Sequence, residues 1–255
     1  MLKKLFAALA LLLLAAGNTL AAETDLLARI SRAGEQRMLA QRIAKSYSLI
    51  GLNVQPFVAK QELDQAVKRF EENLAFLETA PTDAAKTSLT RLRNTWQPFR
   101  KAARGVPRQT GAIWLSHQAD EVLAAAELVV RDLQNSGANA TSGRLVAQAG
   151  RQRMLSQRIV KAYLLVSWGD TSEVTREELD GAVNEFAGAL NALRQRSENS
   201  PAVSNELNEM AQSWEWMQAA LAAEGASSYR LIVAEAGEAI LQSAERLTTL
   251  YATPP

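Results

Sequence analysis

Residues 33–47 read AGEQRMLAQRIAKSY, and residues 149–163 read AGRQRMLSQRIVKAY. Eleven of the fifteen positions are identical, at an offset of 116. Self-similarity at this length sets the architecture before any local reading does. It extends outward. Glu62-Leu63-Asp64 matches Glu178-Leu179-Asp180, and Ala66, Val67, Phe70 and Leu74 match Ala182, Val183, Phe186 and Leu190. Beyond Pro201 the offset becomes 118: Leu89, Trp96, Leu123, Ala126 and Glu127 match Leu207, Trp214, Leu241, Ala244 and Glu245. Each unit is about 115 residues, an ordinary domain length, so the chain reads as a duplicated domain.

The mature chain is rich in Ala, Leu, Glu, Gln and Arg, which favour helix, and no stretch alternates as a strand would. Breaks fall at Asn53–Pro56, Thr79–Asp83, Gly105–Pro107, Gly169–Ser172 and Asn199–Pro201. They predict four helices per unit: 24–53, 59–78, 82–104 and 111–134, then 142–168, 175–196, 201–223 and 226–251. Thr175 with Glu178 reads as a capping box. Leu63, Val67, Phe70, Leu74 and Leu77 fall on one helix face, as do Leu179, Val183, Phe186, Leu190 and Leu193. The expected fold is all-α, two tandem up-down four-helix bundles. They would occupy 23–134 and 144–255, with the small-polar run 135–143 as linker and separate cores containing Leu39, Ile43, Leu155 and Ile159.

Lys3 and Lys4, an apolar run from Leu5 to Ala16 and an alanine-ended tail give residues 1–22 the pattern of a signal peptide, cleaved after Ala21 or Ala22. The run of twelve is short for a bilayer span. A periplasmic location follows as an expectation. There is no cysteine, so the fold cannot use disulfides. Without Lys3 and Lys4 the chain holds 26 basic and 27 acidic residues, a balance that offers no nucleic-acid footprint.

Helical geometry divides the repeated stretch into two faces. At about 100° per residue from Arg37, Gln41 falls near 40° and Gly34 near 60°, while Leu39 and Ile43 lie opposite, near 200–240°. Gly150, Arg153 and Gln157 repeat the first face; Leu155 and Ile159 repeat the second. A mid-helix glycine costs about 1 kcal/mol relative to alanine, which close approach of a backbone or ligand would justify. The other reading is a kinked first turn. The candidate ligand residues are therefore Arg37, Arg153, Gly34, Gly150, Gln41 and Gln157. Two guanidiniums at an interface are costly to desolvate unless paired. A small oxyanion would accept several charge-assisted bonds from them. Carboxylates of the protein, Glu35 among them, would do the same. Arg42, Lys45, Arg158 and Lys161 read as surface or supporting residues. His117 is the sole histidine, so histidine-based metal sites and catalytic triads are not expected. Trp96, Trp214 and Trp216 read as core. Neither enzyme nor cofactor is expected.

The pattern AGxQRMLxQRIxKxY resembles the N-terminal, extracytoplasmic PilJ-type domain of type IV pilus chemotaxis transducers. It is also similar to the P-box of nitrate/nitrite sensor kinases of the NarX and NarQ type. The resemblance implies four-helix bundles whose first helix lines a ligand site at a two-fold interface. The arginine before the motif methionine, here Arg37 and Arg153, would hold nitrate or nitrite. The first helices would pack antiparallel or crossed, with both arginines on one anion. A membrane-bound signalling partner would receive the signal, because no signalling domain is apparent. The alternative is an envelope or pilus accessory that keeps the bundle without a ligand.

Overall fold

The computed structural model describes residues 2–79, 83–135, 140–223 and 226–252, without the side chains of 2–23, 84, 140–143 and 226–228. The side chains of the expected leader, the turn at 80–82 and residues 136–139 of the expected linker thus lie outside the described residues. The chain is all-α, with no strand among the described residues. In order the helices are α1 (Leu2–Gly51), α2 (Pro56–Glu78), α3 (Asp83–Ala103), α4 (Gln109–Asn135), α5 (Ala140–Ser167), α6 (Glu173–Arg194), α7 (Pro201–Ala222) and α8 (Ala226–Ala252). No described helix is long and apolar enough to cross a membrane.

Local chemistry explains the breaks. Asn53 and Gln55 both take positive φ, 56° and 42°, which turns the chain before Pro56 opens α2. Ser200 caps α7 by accepting from the Val203 N–H, and Pro201 follows at a position where its missing N–H costs nothing. The cap of α6 is not the expected Thr175–Glu178 box. Ser172 accepts from the Thr175 N–H, and Thr175 is buried, donating its hydroxyl to Asp170 at 2.7 Å. Glu178 is drawn away to cations of α5.

Within unit one, α1 packs on α2 and α4, and α3 on α4. Within unit two, α5 packs on α6 and α8, and α7 on α8. Phe70 stacks on Trp96 at 3.8 Å, and their repeats Phe186 and Trp214 meet at 4.6 Å. Trp216, expected in the core, is 73 % exposed. The two cores are not separate: buried apolar residues of both units form one cluster. The join is α1 against α5, as extensive as any helix pair in the molecule. Gly150 lies beside Arg37 and Gly51 beside Trp168, so α1 and α5 run parallel, not antiparallel. The reason is connectivity. α5 turns back beside α4, as α4 does beside α1, so odd helices share one direction.

Candidate functional site at the α1–α5 interface

The small-polar faces of α1 and α5 meet, and the two motif arginines meet with them. Arg37 is 2 % and Arg153 6 % exposed. A Cβ added at Gly150 would lie 3.3 Å from Nη2 of Arg153 and 3.5 Å from Nη2 of Arg37; one added at Gly34 would lie 3.3 Å from Nη2 of Arg37. The glycines therefore make room for guanidiniums, not for a helix backbone. Arg37 donates from Nη1 to Glu127 of α4 at 2.5 Å. The repeat of Glu127 is Glu245, but no such bond joins Glu245 to Arg153. Burial pulls the Arg153 guanidinium below the usual arginine range; Glu35 and Glu245 oppose this, and Arg37 adds to it. Glu35 is engaged elsewhere, accepting from Arg69 at 3.0 Å and Asn73 at 2.7 Å. Burial raises Glu245, against the pull of Arg153 and Arg42.

One turn further along each helix stand two ionic quartets. Lys45 and Lys161 are both 0 % exposed, a correction to their reading as surface or supporting residues. Lys45 Nζ reaches Glu62 of α2 at 3.0 Å and also contacts Glu238 of α8. Arg42 joins the same carboxylates, Glu238 at 2.8 Å and Glu62 at 3.5 Å. In the repeat, Lys161 Nζ lies 2.7 Å from Glu178 of α6 and 3.3 Å from Asp120 of α4. Arg158 lies 2.9 Å from Glu178 and 3.7 Å from Asp120. Each quartet sets two cations against two carboxylates, the arrangement a buried ammonium requires. Each also draws one carboxylate from the other unit.

The glutamines extend the polar seam. Gln41 donates to Asp120 at 3.1 Å and Gln157 to the Gly237 carbonyl at 3.3 Å. Their amide nitrogens thus turn toward α4 and α8. Eight buried side-chain atoms among the described residues have no hydrogen-bond partner. All belong to Gln36, Arg37 and Gln41, or to their repeats Gln152, Arg153 and Gln157. Buried polar groups in native proteins are nearly always satisfied, so their confinement to one repeated triad marks this place apart. Gln36 and Gln152 were absent from the sequence-derived candidates. Their identity across the repeat was the available signal.

Two stretches, residues 20–122 and 137–251, match the family of type IV pili methyl-accepting chemotaxis transducer N-terminal domains, PilJ. No curated protein and no solved structure gives a significant match. The family matches cover most of the chain, one on each unit, and the chain belongs to the PilJ family as two tandem copies.

Proposed function

We propose that this protein is an exported, non-enzymatic binding module for a small oxyanion of the nitrate or nitrite kind, acting on a membrane-bound signalling partner. Family membership supports a sensory or accessory module related to chemotaxis transducers. The anion rests on one observation: among the described residues the unpartnered buried polar atoms all lie on the repeated Gln-Arg…Gln positions, and three of them are guanidinium nitrogens. A guanidinium stays protonated in proteins, so Arg153 is a buried cation without a bonded carboxylate. An oxyanion between Arg153 and Arg37 would satisfy those nitrogens and relieve their mutual repulsion. The similarity of the motif to nitrate/nitrite sensor P-boxes supports the choice of anion.

The accessory reading keeps one observation in its favour, the Arg37–Glu127 ion pair, which neutralises half the site internally. A thermal-shift panel of nitrate, nitrite, chloride and sulfate separates the two. Binding stabilises by about 2.7 kcal/mol at a hundredfold excess over the dissociation constant. A rise in melting temperature with nitrate or nitrite that Arg153→Ala removes supports the sensor. No anion-specific rise in the wild type supports the accessory.

A further inference from the structure

Among the described residues, the exposed large apolar side chains are not scattered. Phe57, Trp114, Val174 and Ile232 each stand within two turns of the start of α2, α4, α6 and α8. Val106 lies in the α3–α4 loop, and Trp216 in the last two turns of α7. All these positions belong to the same end of the molecule, where odd helices finish and even helices begin. Scattered exposed apolar residues need no explanation, but a gathering at one end marks an interaction surface.

Charge at this end divides between the units. Unit one carries exposed Lys101, Arg104 and Arg108, with no acidic residue from Arg100 to Gly111. Unit two carries exposed Glu173, Glu177 and Glu215, with Arg176 as the exposed exception. A face with apolar residues in both halves, basic in one and acidic in the other, is complementary to itself under a two-fold rotation. An anionic bilayer would attract one half and repel the other.

We propose that this end is a self-association surface, on which a second copy of the chain docks end to end. Unit one of each copy faces unit two of the other. The apolar residues form the shared centre and the opposite charges the rim, the usual anatomy of a protein interface. The odd-helix direction makes the two copies point away from each other.

The test is sedimentation equilibrium of the purified chain, with circular dichroism melts to confirm folding. The wild type should dimerise, and more weakly as salt screens the rim. Arg104→Glu with Arg108→Glu should raise the dimer dissociation constant roughly 100-fold, as should Glu173→Arg with Glu177→Arg, because each sets like charges together. An equimolar mixture of the two folded double variants should restore a dimer, since every rim contact then joins opposite charges. A monomeric wild type, a dimer indifferent to both double variants, or a mixture that stays monomeric would overturn the proposal. So would binding of the wild-type monomer to anionic phospholipid vesicles through Trp114, read as loss of binding in Trp114→Ser.

Discussion

Lys45 and Lys161 occupy equivalent positions of the repeat, and each reaches across to the other unit: Lys45 to Glu238 of α8, Lys161 to Asp120 of α4. Asp120 and Glu238 are themselves equivalent at the offset of 118. The duplication has therefore built a pseudo-two-fold pair of ion clusters within one chain. Separating the units would leave Lys45 and Lys161, wholly buried in the joined molecule, each short of a carboxylate.

Removing one partner of a buried pair costs about 3–5 kcal/mol. Glu62→Gln and Glu178→Gln should each destabilise the fold on that scale and to similar extents. Urea-unfolding midpoints check this. Midpoints that fall for one substitution and not for the other would break the pseudo-symmetry.

Acid should weaken the same clusters. Burial alone would raise Glu238, but Lys45 and Arg42 outweigh it and hold the carboxyl below its ordinary range. Burial would also raise Asp170, but hydrogen bonds from Thr175 and Ser172 hold it low. A carboxyl lowered in the folded state contributes stability above its unfolded pKa of about 4. That contribution disappears as pH falls through the lowered value. Glu245 has the opposite sign: burial raises it, so its charged form costs stability at neutral pH and protonation relieves the cost. Stability measured from about pH 7 down to 3 should fall less steeply in Glu238→Gln than in the wild type, and more steeply in Glu245→Gln.

The helices were legible because glycine, proline and small-polar runs punctuate a strongly periodic chain, and seven of the eight helices begin within three residues of the expected position. The exception is α1, which continues back to Leu2. The paired arginines were legible from the repeat. What escaped was the direction of α5 and, with it, the fate of Lys45 and Lys161. On the helical wheel Lys45 lies at about 80° from Arg37, beside the small-polar stripe. A charge there reads as solvated until a second helix is known to cover it. The carboxylates that answer it come from Glu62 and from Glu238, 193 residues beyond Lys45. Pairing at that separation is a tertiary fact. The repeated identity of Lys45 and Lys161, and of Glu62 and Glu178, was its one trace in the sequence.

Glu127 pairs with Nη1 of Arg37, and its negative charge would compete with an anion held on the unpartnered Nη2. Glu127→Gln should therefore tighten nitrate or nitrite binding, by roughly tenfold if one charge-assisted bond no longer competes. Competition titrations against wild type read this directly. Weaker binding in Glu127→Gln would show that the carboxylate positions Arg37 for the ligand.

Isothermal titration calorimetry of nitrate and nitrite into the wild type, Arg37→Ala and Arg153→Ala tests whether the two arginines of one chain share one anion. One anion should bind per chain, and binding should be lost in both variants, each still folded. No heat of binding in the wild type, or two anions per chain with one surviving in each variant, would contradict it.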